Sequence, residues 1–121
     1  MSIFVGTAAT RPDSIGGLFR STAGGKRFEL LDNGIPTTTG VQAITVHPDD
    51  ASLIFVATRN GVFRSKDGGD SWTQLAVPLE KRQAWSVLVH PTQPSTIVVG
   101  SSPIGFFRSD DMGETWRELQ G

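Results

Sequence analysis

Phe63-Arg64-Ser65-Lys66-Asp67-Gly68-Gly69-Asp70-Ser71-Trp72 decides the fold, because its pattern occurs three times at one spacing. A second copy runs Phe107-Arg108-Ser109-Asp110-Asp111-Met112-Gly113-Glu114-Thr115-Trp116. An earlier, altered copy runs Phe19-Arg20-Ser21-Thr22-Ala23-Gly24-Gly25-Lys26-Arg27-Phe28. The leading phenylalanines stand 44 residues apart. Self-similarity at a fixed period of that order marks a chain built from one repeated supersecondary unit.

Whole units align outward from these stretches. In the second unit Ala43-Ile44-Thr45-Val46-His47-Pro48 leads to Leu53-Ile54-Phe55-Val56-Ala57-Thr58, then Gly61-Val62-Phe63-Arg64-Ser65, then Ser71-Trp72-Thr73-Gln74-Leu75. The third unit repeats the series from Ser86 to Leu119. The runs are short, rich in Val, Ile, Phe, Thr and Trp, and separated by Pro, Asp, Asn and Gly, which is the signature of strands and turns. No segment has helical period. Four strands in a unit of this length predict an all-β chain of antiparallel β-propeller blades. The first unit lacks its first strand: Ile3–Thr7, Gly17–Ser21 and Arg27–Leu31 match strands two, three and four. The expected division is an incomplete blade over 1–41, a second blade over 42–84 and a third over 85–121. That makes about 2.75 blades, and a closed ring needs roughly four to eight. The chain is therefore expected to form an open arc, to belong to a longer propeller, or to join an oligomeric ring, most simply as a two-fold homodimer.

Residues Ser65 to Trp72 and Ser109 to Trp116 resemble the Asp-box, S-x-D-x-G-x-[ST]-W, of the bacterial neuraminidase (BNR) repeat. That repeat is found in sialidase-like propellers, sortilin-type receptors, xyloglucan-cleaving glycosidases and photosystem II assembly factors. The first copy departs from it, with Ala23 in place of the aspartate and Phe28 in place of the tryptophan, so its hairpin is expected to be looser. The residue types suit a tight turn. Gly69 and Gly113 stand where a side chain would clash, and Asp67 and Asp111 can accept hydrogen bonds from turn amides. Trp72 and Trp116 can bury their rings against the neighbouring hairpin. Ser65, Asp67, Gly69, Trp72, Ser109, Asp111, Gly113 and Trp116 are thus assigned to architecture. In the family the boxes lie on the rim, away from ligands.

Other chemistry-bearing residues also read as structural. Arg20, Arg64 and Arg108 share one repeat position and precede the hairpin serine. They are expected to stack or pair between adjacent blades, not to converge as the arginine triad of a sialidase does. Sialidases also use a tyrosine nucleophile, and the chain contains no tyrosine. His47 and His90 are each followed by proline at the same turn, so a repeated turn accounts for them. Asp49 and Asp50 belong to that turn as well. The acidic run Asp110 to Glu114 lacks the bidentate glutamate that closes a calcium loop. No metal site and no cofactor are assigned.

Composition narrows the function classes. Eleven Lys and Arg against twelve Asp and Glu give a net charge of −1, which provides no cationic field for nucleic acid or a membrane surface. There is no cysteine, hence no disulfide or thiolate chemistry. The amino-terminal residues show no signal-peptide pattern, and no stretch approaches the length of a membrane span. A cytoplasmic protein is expected.

A ligand surface is expected on the face opposite the boxes, where the units diverge. The first unit carries Ala8 to Gly16 between its second and third strands, and the second unit has only Arg59 and Asn60 there. The candidate binding residues are Arg11, Asp13, Arg59, Asn60, Lys81, Arg82 and Trp85. No catalytic residue is assigned, since the acids of that face, Asp13, Asp32 and Glu80, lie in three different connections. The expected function is a non-catalytic module for protein or glycan interaction, completed by self-association. The alternatives that the resemblance implies are a fragment of a xyloglucanase-like glycoside hydrolase and a photosystem II assembly factor-like propeller.

Overall fold

The structure, a computed structural model, describes residues 2–7 and 17–120. Among these residues the chain forms eleven strands and no helix. They are β1 (Ile3–Thr7), β2 (Gly17–Ser21), β3 (Glu29–Leu31), β4 (Val41–His47), β5 (Asp50–Thr58), β6 (Gly61–Ser65), β7 (Thr73–Gln74), β8 (Gln83–Val89), β9 (Ile97–Ser102), β10 (Gly105–Ser109) and β11 (Arg117–Leu119). Three antiparallel sheets follow in chain order: β1-β2-β3, β4-β5-β6-β7 and β8-β9-β10-β11. The first sheet has three strands where the others have four, as the missing first strand of the opening unit predicts. No helix of the described residues is long and apolar enough to cross a membrane.

Register follows from the repeat. Val56 pairs with Phe63 in the second sheet, Val99 with Phe107 in the third and Val5 with Phe19 in the first, all equivalent positions. Both complete sheets carry an irregularity near the start of the innermost strand, between Val41 and Ala43 and between Ala84 and Ser86.

Burial shows how the sheets stack. Successive residues of a strand point to opposite faces, so a strand covered on both sides is buried at every position. β6 is buried at all five positions. Its counterpart β10 alternates, with Phe107 fully buried and Phe106 43% exposed. The middle sheet is sandwiched, and the third is covered on one face. Two cores result. One joins the first and second sheets through Leu18, Leu31, Ile35, Ile54, Val56, Phe63 and Trp72. The other joins the second and third through Phe55, Val62, Leu75, Val87, Val99 and Phe107, among others. Polar bonds reinforce the second seam: Thr45 Oγ1 donates to Val87 O at 2.6 Å, and His47 Nε2 lies 2.7 Å from Pro94 O. Asp49 N donates to His47 Nδ1, so Nε2 carries the proton and donates to that carbonyl.

Candidate functional site

The sheet stack has two rims. One carries the β6–β7 and β10–β11 hairpins, where the hydrogen bonds repeat almost atom for atom. Ser65 Oγ accepts from Gly69 N at 2.8 Å, and Ser109 Oγ accepts from Gly113 N at 2.8 Å. The aspartate closes the other half of the turn. Asp67 Oδ1 accepts from Ser71 N at 2.9 Å and from Ser65 Oγ at 2.8 Å, and Asp111 takes the same bonds from Thr115 N and Ser109 Oγ. These donors, led by the Ser71 and Thr115 hydroxyls, hold both carboxyls down from 3.8 to about 2. A Cβ on Gly69 would stand 2.9 Å from the Phe4 ring, and one on Gly113 3.0 Å from Leu75 Cδ1, both at positive φ. Trp72 Nε1 and Trp116 Nε1 donate back to the carbonyls of Gly69 and Gly113. The serine, aspartate and tryptophan side chains of these hairpins are thus occupied by the turn itself. Among the described residues no three His, Cys, Asp or Glu side chains gather to hold a metal ion.

The three repeat arginines do not converge. Arg20 and Arg64 each reach into the next sheet's hairpin, at Gly68 O and Met112 O respectively, 2.9 Å away in both cases. His90, like His47, caps its own turn: its Nδ1 accepts from the backbone of Thr92 and Gln93 at 3.1 Å.

The opposite rim holds a groove of about 250 Å³. The β5–β6 turn supplies one wall with Arg59, Asn60 and Gly61, and the β7–β8 connection supplies the other from Val77 to Arg82. Its floor is apolar, with Leu75 and Leu79 buried. Each wall is locally fixed. Thr58 Oγ1 donates to Gly61 O at 2.8 Å and accepts from Asn60 N, and Gln74 Nε2 donates to Asn60 O at 2.9 Å. Across the groove Arg82 N donates to Leu79 O at 3.0 Å, closing a turn whose central residues Glu80 and Lys81 have φ of 53° and 73°. This is the mirror-image form of the common turn, which ordinarily takes asparagine and glycine. Two side-chain-bearing residues in the left-handed region cost on the order of 1–3 kcal/mol each. Arg82 supports the turn from below: its Nε donates to Leu79 O at 2.7 Å, and its guanidinium grips Glu118 with two bonds and lies 4.9 Å over the Phe107 ring. Arg82 in turn holds the Glu118 carboxyl below its ordinary value.

Four of the seven candidate residues therefore meet: Arg59, Asn60, Lys81 and Arg82 all line the groove. Arg82 serves there mainly as a strut. Trp85 is 54% exposed in β8 and does not line it. Arg11 and Asp13 lie outside the described residues, as does the Ala8–Gly16 insertion. Of the candidate acids Glu80 lines the groove and Asp32 does not. Gln74, at the end of β7, and the apolar Leu75, Val77 and Leu79 also line the groove, and a search for polar residues in divergent loops does not find them.

Three meander sheets stacked face to face, each a four-stranded unit or part of one, define an arc of a β-propeller of the sialidase and sortilin type. Residues 16–121 match the Sortilin-Vps10 family, described as "Sortilin, neurotensin receptor 3", and the chain belongs to that family. Comparison with curated protein sequences gives no match. Among solved structures the chain is similar to the GH74 xyloglucanase from Xanthomonas campestris, with 20% identity and a TM-score of 0.71, covering 99% of this chain and 22% of that one. An ancestral GH74 enzyme shares 21% identity at a TM-score of 0.70, over 85% of this chain and 15% of that one. YCF48 bound to D1 peptide shares 13% identity at a TM-score of 0.65, over 97% of this chain and 44% of that one. At such identities the likeness is one of fold, and the chain spans less than half the length of each of these structures.

Proposed function

We propose that this chain is a non-catalytic propeller module whose groove between the β5–β6 turn and the β7–β8 connection binds a protein or glycan partner, within a ring completed by further blades. The observation that carries the reading is the strained Glu80–Lys81 turn at the groove's edge. Local strain held in place by surrounding bonds concentrates at binding sites. An apolar floor with amide and charged groups at its edge suits a sugar ring or an extended peptide. A hydrolase would need a second carboxyl across the groove from Glu80 at about 5 to 9.5 Å, and the described lining residues supply none.

The test is a panel of neutral and acidic oligosaccharides and peptides presented to the wild-type chain and to the Asn60→Ala and Lys81→Ala variants, with folding checked by circular dichroism. Expected is binding weakened about tenfold or more by either substitution, the loss of one to two polar contacts, with no bond cleavage. Turnover of a glycan that Glu80→Gln abolishes would overturn the reading, and so would failure to bind any member of the panel.

A further inference from the structure

One polar link is made twice along the stack. Arg20, late in β2, donates to Gly68 O at 2.9 Å and pairs with Asp70 at 2.7 Å in the hairpin of the second sheet. Arg64, late in β6, donates to Met112 O at 2.9 Å and pairs with Glu114 at 2.9 Å in the hairpin of the third. Each seam thus joins an arginine of one sheet to a carbonyl of the next and to the carboxylate two residues beyond it. The link lies within an apolar contact, since Val62, on the face of the second sheet that meets the third, is fully buried.

The third sheet carries the same arginine, which among the described residues bonds only within its own sheet. Arg108 folds back onto Asp110 of its own hairpin at 2.9 Å and reaches Gln93 at 3.4 Å. Around it the equivalents of seam residues are open: Phe106, at the position of Val62, is 43% exposed, and Leu88, at the position of Thr45, is 62% exposed. At the other end of the stack the first hairpin offers the matching carbonyl at Gly24. Where Asp70 and Glu114 stand in the other two, however, it has Lys26. Both ends of the stack expose apolar side chains, Ile3, Val5 and Phe28 at one and Leu88 and Phe106 at the other, but Lys26 and Arg108 give them like charges.

We propose that the open face of the third sheet docks a propeller hairpin that presents a carboxylate at the Asp70/Glu114 position to Arg108, and that Lys26 keeps the first sheet of a second copy out of that place. The partner's chemistry follows from the two seams already made by the same face and the same arginine. The homodimeric ring expected from the strand count would set Arg108 against Lys26 at both of its seams. This inference rests on the stacking of the sheets and not on the ligand groove, whose residues the following test leaves untouched.

Sedimentation equilibrium at low ionic strength is run on the wild-type chain, Lys26→Glu, Arg108→Glu and the double variant, each first shown to be folded by circular dichroism. Lys26 is exposed on its hairpin and Arg108 is half-buried near the end of β10, and Lys26→Glu leaves the Arg108–Asp110 pair intact. Each single reversal turns a like-charge confrontation into an ion pair and is expected to tighten self-association by about threefold to tenfold per seam. The double variant restores like charges and is expected to return to the wild-type constant, and added salt is expected to erase the gain. Equal association constants for all four chains, or a wild-type dimer tighter than that of Lys26→Glu, would overturn the proposal.

Discussion

The first hairpin, Ser21 to Phe28, and the second, Ser65 to Trp72, share a backbone and differ in what hangs on it. In both, the serine oxygen accepts from the amide four residues on, at Gly25 and Gly69, and the two central glycines have positive φ. Phe28 is 46% exposed, whereas Trp72 is 6% exposed and packed among Leu18, Leu31 and Ile35 of the preceding unit. Lys26 replaces the acid that Arg20 grips in the second hairpin. Serine and glycine therefore shape the turn. Tryptophan and the acid two residues before it serve the seam with a preceding sheet, and they are absent from the hairpin that packs on no preceding sheet among the described residues.

Removing the rings is the strongest way to break this comparison. Trp72→Ala opens a cavity in the core between the first two sheets and leaves Gly69 O without its indole donor. A cost of about 3–5 kcal/mol is expected, as for large aromatic truncations in cores. Phe28→Ala removes a half-exposed ring and is expected to cost about 1 kcal/mol or less. Urea titration of both variants reads the difference, and similar losses would mean that the first hairpin is packed as tightly as the second.

The arginines sharpen the same contrast with a smaller effect. Arg64 is 7% exposed and spans a seam, so Arg64→Ala leaves Met112 O without its donor and Glu114 with only the Lys66 ammonium at 3.9 Å. About 1–3 kcal/mol is expected, moderated because the Glu114 side chain is 59% exposed and can rehydrate. Arg108 makes the same kind of bonds within its own sheet at the surface, and Arg108→Ala is expected to stay within about 0.5 kcal/mol in the isolated chain. Denaturation midpoints that move equally would show that the seam adds nothing to the pair.

Much of this architecture was legible in the residues alone. The 44-residue spacing placed the three sheets, and the absent partner for Ile44 and Val87 in the opening unit showed that its first strand is missing. The hairpin bonds of Asp67 and Asp111 also followed from spacing, because all their donors lie within four residues. The seam link did not, since Arg20 and Arg64 meet residues 48 positions away. A signal for it was present nonetheless: an acid stands fifty residues after Arg20 and after Arg64. The groove was half legible. Loop divergence found Arg59, Asn60 and Lys81, but a left-handed turn at Glu80–Lys81 leaves no mark when neither residue is glycine or asparagine. Only the reach of Arg82 to Pro78, Leu79 and Glu118 explains how the chain holds it.

The carboxylate clamp gives the smallest effect and the cleanest pH signature. Asp67 and Asp111 are held at about 2, below their ordinary 3.8, by bonds from Ser71 and Thr115 first and from Ser65 and Ser109 after them. A carboxyl with a lowered folded value stabilises fully above its unfolded value, and that contribution drains away as the pH falls from about 4 toward 2. The first hairpin has no such group. Ala23→Asp would place a carboxylate beside the Ser21 hydroxyl and the Arg27 amide, but without the serine or threonine hydroxyl that gives the strongest bond in the other two. A gain of only a few degrees in Tm is expected at neutral pH, together with a steeper loss of stability between about pH 4 and 2. Asp67→Asn is expected to do the reverse and flatten that acid limb. Thermal melts across the pH range compare the three chains. If Ala23→Asp leaves the acid limb unchanged while Asp67→Asn flattens it, the clamp depends on the hydroxyl at the position of Arg27, and the first hairpin has lost two coupled residues in place of one.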